Sequence, residues 1–70
     1  MQNLRDFRKS RGLSQSEMAD LLGYTLSMYE KVENGRSGFS VKFLMAFKSK
    51  FPEANIDYIF FGNNSNDVAV

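Results

Sequence analysis

Between Ser14 and Gly35 the chain reads SQSEMADLLGYTLSMYEKVENG, and no other stretch fixes so much local geometry. Ser14 followed three residues later by Glu17 is a capping box: each side chain accepts from the other residue's backbone N–H, so a helix starts here. Met18, Ala19 and Leu22 recur at helical spacing and form its buried stripe. Gly23 ends that helix, because a left-handed residue costs glycine no Cβ clash. Thr25 caps a second helix whose inward face is Tyr29 and Val32, and Asn34-Gly35 closes it. The stretch predicts two short helices joined by a tight turn.

The remaining sequence predicts three more helices. Residues 2–11 form the first, with Leu4 and Phe7 inward and Gly12 as its stop; Leu13 packs back as the chain enters the second. After a loop at 35–38, Ser40 caps a fourth helix running to about Lys50. Leu44, Phe47 and Phe51 are assigned to its core side, Lys42 and Lys48 to the outside. Pro52 prevents continuation, since it lacks a donor and restricts Phe51. Asn55 caps a last helix over 56–60, with Asp57 in its first turn and Gly62 at its end. Ile56, Ile59 and Phe60 are expected in the core, with Tyr58 and Phe61 partly exposed. Strand alternation and repeats are absent. The expectation is an all-α, five-helix domain over 1–62, followed by a disordered tail at 63–70.

Seventy residues leave room for one core, and a chain this short buries roughly 60% of its unfolded surface. Seven Phe among 43% hydrophobic residues supply it. The lack of Cys and His excludes disulfides and ordinary zinc sites and fits a reducing cytoplasm. No cofactor or metal is expected. No apolar run approaches the ~20 residues that span a membrane, and the N-terminus lacks a signal-peptide core. Without His or Cys, acid–base chemistry would fall to carboxylates, Lys or Tyr, and none stands in a catalytic constellation. Asp20, Glu17 and Glu30 read as solvated helix charges, so no enzyme is expected and no catalytic residue is assigned.

A helix–short turn–helix unit is the geometry that sets its second helix in a DNA major groove. Double-stranded DNA is therefore the first partner class, and a protein the second. The charge is nearly neutral: nine Lys/Arg against eight Asp/Glu give +1, whereas DNA-binding domains are often more basic. Arg5, Arg8, Lys9 and Arg11 cluster near the N-terminus, with Lys31 and Arg36 further on. A solvated helix face explains such a cluster as readily as a phosphate site.

Leu13-Ser14-Gln15, Ala19, Leu22-Gly23, Val32-Glu33-Asn34-Gly35 and Asn55-Ile56-Asp57-Tyr58-Ile59-Phe60, in this order and spacing, resemble the lambda-repressor-like (Cro/repressor, XRE-type) helix-turn-helix domains. The resemblance covers about residues 2–62. It implies a small phage-type transcriptional regulator that binds operator DNA as a homodimer. By position, Gln15 would donate to a phosphate or reach a base edge. The third helix would enter the groove N-terminus first, presenting Leu26, Ser27, Glu30 and Lys31. Asn34 and Arg36 would clamp phosphates. Arg8 and Glu33 resemble a pair tying the first helix to the end of the third, with Arg8 also placed to touch phosphate.

The reading face departs from the family. Related recognition helices often open with amides or Arg, which bond adenine or guanine in bidentate fashion. Here Leu26-Ser27-Met28 stands instead. Leu26 suits a thymine methyl, and Glu30 would repel phosphate unless it accepts from cytosine N4. Leu21, Leu26, Met28 and Glu30 would equally suit a protein partner, such as a phage repressor that the chain antagonises. Partial burial of Met28 within the unit is the plainer expectation. Tyr58 and Phe61 are assigned to a two-fold dimer interface, the alternative being that Phe61 folds back over Phe39 or Phe43.

Overall fold

The computed structural model describes residues 2–62. Five helices follow in order: α1 Gln2–Ser10, α2 Gln15–Leu22, α3 Leu26–Glu33, α4 Val41–Lys50 and α5 Ile56–Phe61. No strand occurs among the described residues. The segment 63–70, expected to be a disordered tail, lies outside them.

Helix starts follow the side-chain oxygens. Ser14 accepts from the Glu17 N–H while the Glu17 carboxylate accepts from the Ser14 N–H, completing the capping box. The Ser14 N–H first, and then the Ser14 hydroxyl, hold the Glu17 carboxyl below its usual pKa range. Thr25, Ser40 and Asn55 accept from the N–H of Met28, Phe43 and Tyr58 respectively. Each cap satisfies a donor that has no partner inside its helix.

Helix ends are set by backbone chirality. Gly23 sits at φ +78°. Its N–H donates to the Asp20 carbonyl and that of Tyr24 to the Ala19 carbonyl, a Schellman arrangement. A Cβ at Gly23 would meet nothing within 4 Å, so the left-handed backbone, not space, demands glycine there. The same paired bonds recur at Gly12 and Gly35. The first helix stops at Ser10, one residue short of expectation, as the Arg11 N–H shifts partly onto the Arg8 carbonyl and Gly12 turns left-handed.

The core joins all five helices: Leu4; Met18, Ala19 and Leu22; Tyr29 and Val32; Phe43, Phe47 and Phe51; Ile59 and Phe60. Phe7, Leu13, Leu44 and Ile56 pack against it only partly buried. The α4 assignment needs correction. Phe43, not Leu44, fills the centre, set between Tyr24, Tyr29 and Phe60 at ring separations of 5.2, 6.4 and 6.0 Å. Adjacent apolar positions fit the helical period equally well, and only the neighbouring aromatics choose between them. At the far end, α5 extends to Phe61.

Candidate nucleic-acid interface

The chemistry concentrates on Glu33, at the C-terminal end of α3. Its carboxylate is fully buried and is surrounded by donors. Oε2 accepts from Arg8 Nε at 2.8 Å and from the Tyr29 hydroxyl at 2.5 Å. Oε1 accepts from Gln15 Nε2 at 3.0 Å, Arg8 Nη2 at 3.1 Å and Arg5 Nε at 3.4 Å. One side chain thus ties α1, α2 and α3 together. A buried charge is tolerable only when paired and hydrogen-bonded, and here both conditions hold.

Burial alone would raise the Glu33 pKa. Hydrogen bonds from Arg8, Tyr29 and Gln15 outweigh that and hold it at about 2, against an ordinary 4.5. Burial and the adjoining carboxylate push the Tyr29 phenol up, so it remains a neutral donor. Because the Glu33 pKa is depressed on folding, its stabilisation is complete above about pH 4.5 and is lost as pH falls through about 2. A depression of this size corresponds to on the order of 3 kcal/mol. The thermal midpoint is therefore expected to fall steeply between about pH 4.5 and pH 2, and Glu33→Gln should flatten that fall in circular-dichroism melts.

Of the two roles expected of Arg8, scaffold tie and phosphate contact, the geometry displays the tie. Arg8 is buried, with Nε and Nη2 on Glu33 and Nη1 donating to the Leu13 carbonyl at 2.8 Å. It belongs to the scaffold. The missed partner is Arg5, which reaches Glu33 and also donates from Nη2 to Asn34 Oδ1 at 3.0 Å. The sequence carried a signal only in its phase: Arg5 follows the core residue Leu4 and sits three residues before Arg8. Of the other N-terminal cations, Arg11 pairs with Glu53 at 2.7 Å and lies over the Phe7 ring.

The outward face of α3 carries Leu26, Ser27, Met28 and Lys31, all exposed, while Glu30 is half-buried. Leu21, Leu26 and Met28 are 41%, 42% and 50% accessible, so Met28 is half covered and half open. It lines a recess of about 170 Å³ beside α3, together with Tyr24, Lys31, Val32, Phe39 and Phe43. Gln15 is half-buried at the start of α2, and Asn34 and Arg36 are exposed just past α3. The Lys31 and Arg36 side chains pair with no other described residue.

A protein-family model described as helix-turn-helix matches residues 4–49, more than half of the chain. The chain belongs to the lambda-repressor-like, XRE-type helix-turn-helix family. No curated protein and no solved structure matches it. The helix-turn-helix itself is α2, the Gly23 turn and α3, and the family is one of DNA-binding transcription regulators. Among the described residues, no helix is long and apolar enough to cross a membrane, and no group of His, Cys, Asp or Glu could hold a metal ion.

Proposed function

We propose that the chain is a small phage-type transcriptional regulator that binds operator DNA as a dimer and represses by occluding polymerase. The observation that carries this reading is the exposed first turn of α3. It presents Leu26, Ser27 and Met28, backed by Lys31, which pairs with no other described residue, and flanked by Gln15, Asn34 and Arg36. Side chains at that turn reach base edges, and flanking polar groups hold the phosphates. Tyr58 and Phe61, 44% and 53% accessible on α5, supply the dimer contact. Phe61 also meets Phe39 edge-on at 5.7 Å, the folded-back contact expected as the alternative, and keeps about half of its surface open. Half-sites then lie ~34–36 Å apart, since each protomer offers one recognition helix.

The test is titration of the protein onto the intergenic DNA beside its own gene at two salt concentrations. Lys31→Ala is expected to weaken binding roughly 5- to 100-fold, the range of a base contact. Gln15→Ala should cost about 5-fold, the worth of one hydrogen bond. Helicity should be retained in both. Unchanged affinity in both variants would remove α3 from the groove.

A second reading is favoured by the half-open apolar side chains Leu21, Leu26 and Met28, of which Met28 also lines the recess beside α3. In it, the chain binds a phage repressor protein and blocks that protein's DNA binding, with Glu30 meeting basic groups of the partner. The same titration separates the two. Loss of the neighbouring regulator's DNA shift on adding this protein, abolished by Leu26→Asp and without any shift of its own, selects the antagonist.

A further inference from the structure

Glu33 Oε1 gathers three donors from two other helices, and they differ in what they have left to give. Arg8 is turned inward and spent on the scaffold. Gln15 is half-buried and commits one Nε2–H to Glu33. The Arg5 side chain is 34% accessible, and a guanidinium has five N–H donors. Arg5 uses Nε on Glu33 and one Nη2–H on Asn34. The bond to Asn34 also occupies that amide's oxygen, which leaves its NH2 as a donor. Three exposed or half-exposed donor side chains from α1, α2 and the end of α3 therefore lie side by side, joined through Glu33 Oε1 and Arg5. Within the cluster Arg5 and Arg8 outnumber Glu33, with Tyr29 neutral, so it is net cationic.

We propose that Arg5, Gln15 and Asn34 form one anion cradle that takes a single backbone phosphate of the DNA, with Arg5 as its charge-bearing contact. This rests on the DNA-binding reading above and deepens it. Gln15 and Asn34, 19 positions apart in sequence, become parts of one site, and Arg5 joins them. Glu33 is the positioning residue, because it holds Arg5 and Gln15 on one oxygen before any ligand arrives. Preordering of this kind removes the cost of fixing two long side chains on binding.

The test is fluorescence anisotropy of the labelled intergenic duplex over a salt series, with circular-dichroism melts alongside. Arg5→Met should lower affinity about 5- to 10-fold at low salt and flatten the log–log salt slope by about 0.9, one phosphate contact. Its melting curve should stay close to wild type, since Arg8, Tyr29 and Gln15 still satisfy the Glu33 carboxylate. Arg5→Lys should preserve the slope while losing roughly 2- to 3-fold, because an ammonium lacks the fork that reaches both Glu33 and Asn34. Asn34→Ala should cost less in the Arg5→Met background than in wild type. A wild-type protein that binds while Arg5→Met leaves the slope unchanged overturns the cradle alone. A wild-type protein with no salt-dependent binding overturns the DNA reading, and the cradle with it.

Discussion

Glu33→Ala is expected to lower the thermal midpoint by roughly 15–30 °C. Removing one partner of a buried ion pair costs about 3–5 kcal/mol, because the other charge stays buried without compensation. In a small domain each kcal/mol shifts the midpoint by about 4–8 °C. Here the orphaned groups would be Arg8, the Tyr29 hydroxyl and the inner N–H of Gln15. Total stability for a domain of this size is on the order of 4–10 kcal/mol, so the variant should be substantially unfolded well below the wild-type midpoint. Glu53→Ala is the control. Its bond to Arg11 is as short, at 2.7 Å, but both side chains are well exposed at 40% and 52%, and exposed pairs contribute ~0–1 kcal/mol. A differential melt decides the matter: equal losses in the two variants would mean that burial of Glu33 is not what makes it costly. DNA binding by Glu33→Ala should vanish along with the fold.

Phe47→Ala should cost about 3–5 kcal/mol through the cavity it leaves. Phe47 is fully buried. Its ring lies 5.3 Å from Phe7, 5.2 Å from Phe51 and 5.0 Å from Phe60, so it joins α1, the end of α4 and α5. Those neighbours are themselves large rings and cannot all collapse into the space. In urea titrations the midpoint should drop with little change in slope, the mark of lost stability rather than an altered unfolded state. Phe61→Ala, removing a half-exposed ring, should shift the midpoint far less. A large loss at Phe61 would place that residue in the monomer core and leave α5 without its dimer anchor.

Helix starts and stops were legible in the sequence because their causes are local. Ser14 and Glu17 sit three residues apart and satisfy each other, and Gly23 needs only its own backbone angle. Ser40 and Asn55 announce α4 and α5 in the same way. Core membership was legible wherever the apolar spacing allowed one phase, as at Met18, Ala19 and Leu22. On α4, Phe43 and Leu44 stand side by side, and the choice fell to Tyr24, Tyr29 and Phe60, far away in sequence. Glu33 shows the same limit in its polar form. Its tie to Arg8 could be expected from family resemblance, but its full burial and its bonds from Tyr29, Gln15 and Arg5 could not.

By itself, then, the 14–35 stretch determined two capped helices and the turn between them, because caps, left-handed glycines and helical periodicity act within a few residues. The tertiary structure decided which charges are structural and which face outward. Arg5 and Arg8 lie three positions apart with the same side chain. One ends buried on a carboxylate and the other half-exposed beside Asn34. Burial and pairing depend on elements 18 to 29 residues distant, and desolvation, which sets what a charge can do, exists only once those elements have packed.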